Sequence, residues 1–281
     1  MKKHNLFVFA AVLTLLVFSL ACCGEKKEEK QSSVTSSPLP DEKLVNTVSD
    51  GTWMYSVYSS FVEISAYYGG GVMAVVPDSY GGLPVSSIGD SAFTGNTTLV
   101  NVILPDSVVN IANKAFSGCT SLKEIRMNGV RAFGMHCFEN TAITDIVFPA
   151  RLANLGKYAF YSGALRSVTI NSGIEGTEAY VFAECASLEE VIFPSDFRVV
   201  SDRMFSGCAS LKEVEIPDTV KELGDYAFAG CSSLEKLVIP ASVDKIGVGL
   251  TDGSPSAVLY VKKGSAAEKY ALENGAVYQN Y

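Results

Sequence analysis

Histidine is nearly missing from this chain of 281 residues, and positive charge is in short supply. Of the two histidines, His4 lies in the first few residues, so a Ser-His-Asp or Cys-His catalytic set has only His136 to serve as general base. Lys and Arg number 22 against 30 Asp and Glu, a net charge of -8. Residues 1–21 hold Lys2 and Lys3 and no acid, so the chain without them carries 20 - 30 = -10. Binding to phosphate backbones or anionic membranes calls for clustered Lys and Arg, and this balance argues against nucleic acid as a partner. There is no Cys-x-x-Cys pair among the seven cysteines and no histidine set, which speaks against zinc. What the chain does have is a globular composition, 48% hydrophobic with 24 Gly and 10 Pro, which excludes a collagen-like or wholly disordered chain.

Lys2 and Lys3 are followed by an apolar run from Leu6 to Ala21. That length suits a signal-peptide core better than a membrane-spanning helix, which needs about 20 residues. Phe18-Ser19-Leu20-Ala21-Cys22 resembles a bacterial lipobox, in which cleavage precedes a Cys that carries diacylglycerol. Cys22 is the expected lipid attachment site because Ala21 is small. Cleavage before Cys23 and a retained N-terminal anchor helix are the alternatives. Residues 22–50, with the charge run Glu25-Lys-Lys-Glu-Glu-Lys30 and Ser-Pro content, read as a flexible tether. On either reading the rest of the chain is extracytoplasmic, and the membrane is met only through the N-terminal lipid.

Phe recurs at Phe93, Phe116, Phe138, Phe160, Phe182, Phe205 and Phe228, at intervals of 22 or 23 residues. Such a period marks a solenoid, in which stacked units share a core that none forms alone. Other elements keep step. An apolar-x-x-apolar-Gly phrase precedes the Phe, as in Val85-x-x-Ile88-Gly89 and Val220-x-x-Leu223-Gly224; after it come a Ser-Gly-Cys-type turn and Leu-x-x-Val-x-Ile, as in Leu211…Val214…Ile216-Pro217. The end of that last phrase alternates with period two, as a half-buried strand does, and the Pro stops the ladder. The Ala-Phe segment reads as one helical or 3₁₀ turn with its Phe inside the coil. The expected fold is α/β and β-rich: about seven 22–23-residue coils over 85–250 with a parallel β-sheet, an N-terminal β cap over 51–84 and a C-terminal cap over 251–281.

The phrasing Ile-Gly-Asp-x-Ala-Phe-x-Gly-Cys-x-x-Leu-x-x-Val-x-Ile-Pro, seen in seven copies from about Val85 to Gly249, resembles the BspA-like leucine-rich repeat of bacterial surface proteins. The segments around Val62–Val85 and Leu259–Tyr270 are similar to that family's caps. Gly129-Val-Arg-Ala-Phe133 in the third copy and Asn171–Thr177 in the fifth depart from the pattern and are expected to bend the solenoid. The resemblance implies adhesion or recognition of host or neighbouring-cell molecules, with no ligand residues to carry over.

The remaining chemistry-bearing residues have plainer readings. His136 sits inside a repeat turn and reads as structural. Ser233-x-x-Lys236 and Ser242-x-x-Lys245 match a serine-lysine hydrolase spacing at variable repeat positions, where coincidence explains them. Gly247–Gly253 lacks the strand–helix context of a dinucleotide motif and reads as a cap turn. No cofactor or metal is implied. Cys119, Cys185, Cys208 and Cys231 each follow a repeat Phe by three residues; with Cys137 they are expected as free, buried thiols, a stacked disulfide being the alternative. Trp53, Tyr55, Tyr58, Phe61, Tyr67, Tyr68 and Tyr80 read as cap packing, or alternatively as a sugar-stacking platform.

The exposed strand face is the expected ligand site. Its residues are Ile103, Arg126, Val147, Thr169, Glu190, Ile192, Glu213, Glu215 and Val238, which alternate with the inward ones and mix acid with unpaired Ile and Val. The commonplace alternative is a neutral surface set by β-propensity. The sequence thus points to a monomeric surface lipoprotein that is not an enzyme, with an extracellular protein as partner and a glycan as a second possibility. A structural role in envelope assembly is the competing class.

Overall fold

The computed structural model describes residues 42–281 apart from 172 and 175. The leader, Cys22 and the tether up to residue 41 lie outside the described residues. Strands β1 (Asn46–Ser49), β2 (Trp53–Val57) and β3 (Val62–Tyr67) form an antiparallel meander at the N-terminal end. The tether expected to run to residue 50 therefore stops earlier, because Asn46 to Ser49 pair with Val57 to Met54. With Val48 as its one apolar residue, the strand escapes a hydrophobic count: it is held by backbone bonds and is largely exposed.

Next come β4 (Met73–Val75), β5 (Ser79–Tyr80) and β6 (Leu83–Ile88). Each coil then supplies a longer and a shorter strand. The first three pairs are β7 (Asn101–Ile103) and β8 (Asn110–Ile111), β9 (Glu124–Arg126) and β10 (Ala132–Phe133), β11 (Asp145–Val147) and β12 (Asn154–Leu155). The next two are β13 (Ser167–Thr169) and β14 (Gly176–Thr177), β15 (Glu190–Ile192) and β16 (Val199–Val200). The last two are β17 (Glu213–Glu215) and β18 (Glu222–Leu223), β19 (Lys236–Ile239) and β20 (Lys245–Ile246). At the C-terminal end stand β21 (Val258–Val261), helix α1 (Ala266–Asn274) and β22 (Tyr278–Asn280).

The longer strands stack in parallel as expected, and the apolar-x-x-apolar phrase forms a second parallel column that the sequence reading did not assign. Both end regions join the stack: β4 pairs with β7, and β21 with β19. The solenoid thus has about nine turns rather than seven, because the caps contribute strands in the repeat's own register. The helix that seals the C-terminal end is defined by its caps. Ser265 accepts from the Glu268 N–H at 3.2 Å, Gly275 closes it in the left-handed region, and Ala267 and Ala271 are buried beneath it.

The Ala-Phe segment is a run of tight turns and not the helical turn expected. Residues two before and two after each Phe carry positive φ, as at Tyr158 and Ser162 around Phe160, and a helix cannot continue through them. These turns form a third column of hydrogen bonds. The N–H of each repeat Phe donates to a carbonyl of the next coil at 2.8–3.0 Å, from Phe93 onto Ala115 through Phe228 onto Leu250. Inside it the seven Phe rings stack with centroids 4.7–5.7 Å apart, all buried. At the N-terminal end Tyr67 continues that stack, 5.1 Å from Phe93.

Candidate functional site

Alternation within the longer strands sets the candidate face. In β17, Glu213 and Glu215 are exposed while Val214 between them is buried, and β11 repeats the pattern with Asp145, Ile146 and Val147. Arg126, Val147, Glu190, Ile192, Glu213 and Glu215 are exposed, and Ile103, Thr169 and Val238 are half-buried. Val147 is 67% and Ile192 47% exposed, so both aliphatic side chains are open to solvent on this face. Parallel register puts Ile103 beside Arg126, sets Val147, Thr169 and Ile192 in one row, and pairs Glu215 with Val238.

These residues do not make one continuous sheet. The column is divided into β4-β7-β9, β11-β13-β15 and β17-β19-β21-β22, with partings between β9 and β11 and between β15 and β17. Glu190 and Ile192 are therefore in a different sheet from Glu213 and Glu215. The shorter-strand column is likewise divided, between β14 and β16. The partings fall beside the two irregular copies. At the first, Glu124 follows Phe116 by eight positions and Asp145 follows Phe138 by seven, although the same one-residue step between Ser167 and Glu190 is bridged by pairing. A cleft of about 500 Å³ opens at that first parting, lined by residues that include Lys123, Glu124, Ile125, Arg126, Asp145 and Val147.

Sequence reasoning missed Met73 and Val75, which are 51% and 58% exposed and extend the face at its N-terminal end through β4. The signal was available, since Val72–Val76 followed by Pro77 repeats the strand-Pro phrase. It also missed a ladder of half-buried side chains on the turn edge, two residues before successive Phe. His136 stacks on Tyr158 at 4.7 Å, Tyr158 on Tyr180 at 4.5 Å, and Arg203 bridges the Tyr180 and Tyr226 rings at 5.6 and 4.3 Å. Their ring faces are spent on one another, so the ladder stiffens the edge rather than offering a stacking platform.

The other candidates are packed as scaffold. His136 Nδ1 lies 3.1 Å from Glu139 Oε2. Lys236 and Lys245 pair across coils with Glu213 and Glu222, at 3.5 and 2.5 Å, away from any hydrolase role for their serines. The five cysteines from Cys119 to Cys231 are buried free thiols. Four of them, Cys119, Cys185, Cys208 and Cys231, donate to the Phe carbonyl of the preceding coil at 3.1–3.3 Å. Burial pushes Cys185 and Cys231 up to about 12, so neither is a nucleophile near neutrality. Trp53, Tyr55 and Phe61 are buried, with Tyr55 stacked on Tyr80 at 4.3 Å and donating to Asp50 at 2.8 Å. Those contacts place Trp53, Tyr55 and Phe61 in end packing, while Tyr68 is 57% exposed. Among the described residues no group of His, Cys, Asp and Glu is placed to hold a metal, and no helix is long and apolar enough to cross a membrane.

A stack of short parallel strands with a shared Phe core, closed at both ends, defines a leucine-rich-repeat solenoid, a scaffold class. The model of the BspA type leucine rich repeat region matches residues 86–211 and 177–254 with six copies, more than half of the chain, and the chain belongs to that family. It is similar to a leucine-rich repeat protein of T. pallidum, with 30% identity and a TM-score of 0.60 over 67% of this chain and 91% of that one. A leucine-rich repeat protein from Bacteroides ovatus shares the fold at 22% identity and a TM-score of 0.56, over 80% of this chain and 71% of that one. No curated protein matches the chain.

Proposed function

We propose that this chain is a lipid-anchored, non-catalytic binding module on a bacterial surface, held through Cys22, which recognises a protein of a host or neighbouring cell and so serves adhesion. The exposed Val147 and Ile192, in one row of the middle sheet, and Val75 on the neighbouring sheet, all among charged residues of the strand face, carry the reading, because exposed aliphatics rimmed by charge suit a covered interface. The net charge of -8 points the search towards basic or neutral partners. In solution the chain is expected to be a monomer.

The test is a binding screen of the full chain against extracellular-matrix proteins and a glycan array, with a Glu190/Ile192/Glu213/Glu215→Ala variant alongside. A protein ligand lost in the variant supports adhesion through this face. A glycan bound equally by both would replace that reading with a carbohydrate-binding one. Exposed Leu272, Val277 and Tyr281 beside the last strand favour a second reading, end-to-end assembly in the envelope. Concentration-dependent self-association in sedimentation would support it. Radiolabelled palmitate incorporated by the wild type and absent from Cys22→Ala would establish the anchor.

A further inference from the structure

The parting between β9 and β11 leaves a strand edge without a partner, as the parting between β15 and β17 also does, and it is the one at which the cleft opens. Leu104, Phe148, Ile170 and Ile216, each just after a longer strand, donate their N–H to the next coil at 2.9–3.1 Å. Met127 after β9 and Phe193 after β15 occupy the same place, and among the described residues neither N–H makes such a bond. Glu124 donates back to Val100 and Arg126 accepts from Leu104, so alternation turns the Ile125 N–H and C=O and the Met127 N–H towards β11, which pairs with β13, while the Met127 C=O accepts from the Val130 N–H at 3.1 Å. A strand edge is therefore left open inside the sheet. Ile125 is half-buried, as Val191 is at the other parting, whereas Val102 and Val168 are 1% and 0% exposed, so apolar core shows at the floor of the cleft.

Charge marks the rim. Some charges elsewhere on the surface pair across coils, as in Arg166–Glu189 at 3.2 Å and Lys245–Glu222 at 2.5 Å, and others, such as Arg131 and Arg198, have no ion-pair partner among the described residues. Around the cleft, Lys123, Glu124 and Arg126 have no ion-pair partner among the described residues, and Asp145 accepts only from Thr144 Oγ1 at 2.8 Å. Glu124 and Asp145 hold equivalent positions of neighbouring strands, so two carboxylates face the opening with no cation between them. Two residues further along, Arg126 stands with Val147 and no acid.

We infer that the β9–β11 cleft binds an extended peptide segment of a protein partner, one with a basic, an apolar and an acidic residue in succession. This rests on the protein-recognition reading above and narrows it to one place. The peptide backbone hydrogen-bonds to the open edge at Ile125 and Met127, as a strand added to a sheet does. Its basic side chain lies between Glu124 and Asp145, its acidic one meets Arg126, and the apolar side chain between them turns down onto Ile125. The volume falls within the range of about 300–1,000 Å³ common to ligand pockets.

The experiment pans phage-displayed random dodecapeptides on the full chain, then measures the selected peptides against Glu124→Lys/Asp145→Lys and Arg126→Glu. All three positions are exposed, and thermal melts check that the variants stay folded. Enrichment of the basic–apolar–acidic order is expected, with binding weakened about tenfold or more in either variant, as for anchors at an interface. Amides of Ile125 and Met127 should gain protection from exchange when peptide is bound. Selected peptides that bind both variants as well as wild type, or recovery of none, overturn the proposal. If such peptides lose binding to the Glu190/Ile192/Glu213/Glu215→Ala variant, the cleft falls and the wider strand-face reading stands; indifference to every variant sinks both.

Discussion

Replacing Trp53 by Ala separates a cap from a sugar platform. Trp53 is 7% exposed, with its ring 4.6 Å from Tyr67 and 6.0 Å from Phe93, the first ring of the solenoid stack. An aromatic side chain buries about 150–250 Å². At about 25 cal/mol per Å² the burial contributes about 4–6 kcal/mol, part of which the alanine retains. The expected loss is then about 3–5 kcal/mol, the range of large-to-small aromatic replacements in cores. For a folded unit of this size each kcal/mol moves the melting temperature by about 2–4 °C, so a drop of about 6–20 °C is expected by circular dichroism. Because coils of a solenoid are stabilised by their neighbours, the loss should begin at the N-terminal end. Amides of β6 and β8 should exchange faster while those of β19 and β21 hold. A melting temperature within about 2 °C of wild type, beside lost glycan binding, would refute the cap assignment.

Other expectations follow from the same contacts. The five repeat thiols, from Cys119 to Cys231, should resist a thiol reagent at neutral pH in the native protein and all react in denaturant; reaction of two or more only after reduction would instead reveal disulfides. Burial raises the folded thiol pKa from 9.0 to about 12 at Cys185 and Cys231, so the unfolded chain loses those protons first. Urea midpoints should be flat in this contribution below pH 9 and fall between pH 9 and 12, and Cys185→Ala/Cys231→Ala should flatten the decline. Ser254 donates to the Phe228 carbonyl at 2.9 Å as Cys231 donates to Phe205, so Cys231→Ser should remain folded with a loss of about 1 kcal/mol in urea titration. A Cβ on Gly156 would stand 2.6 Å from the Gly134 carbonyl carbon, whereas one on Gly70 meets nothing, so Gly156→Ala should lower the melting temperature clearly and Gly70→Ala should leave it unchanged.

Much of the scaffold was legible because stacking forces every coil to repeat the same inward residues, and those are what a period of 22 or 23 displays. The Phe column, the outward alternation at Glu213-Val-Glu215 and the irregular third copy were all readable in this way. Strand β1 was not, since Asn46–Ser49 is held by backbone bonds that leave no hydrophobic trace. The shorter strands are two residues long, too brief for a period of two to register. The tight turns around each Phe depend on left-handed residues, which are Tyr, Lys, Arg and His here as well as Gly, so no glycine pattern announced them. The candidate face was visible residue by residue, but its division was not: β13 and β15 pair across a one-residue difference in the path from ring to strand while β15 and β17 part without one, so no spacing count shows where the column divides.

The unbroken turn column has a consequence for how such a protein changes over generations. Each Phe meets the coils before and after it in the same way, and the two ends touch only the outermost coils through Tyr67 and β21. Gain or loss of one internal coil, by duplication or deletion of a stretch of 66 or 69 nucleotides (three for each of 22 or 23 residues), would leave both end seals and every remaining ring contact in place. Length can then vary among descendants without redesign of the core, because the turn side offers every coil the same contacts.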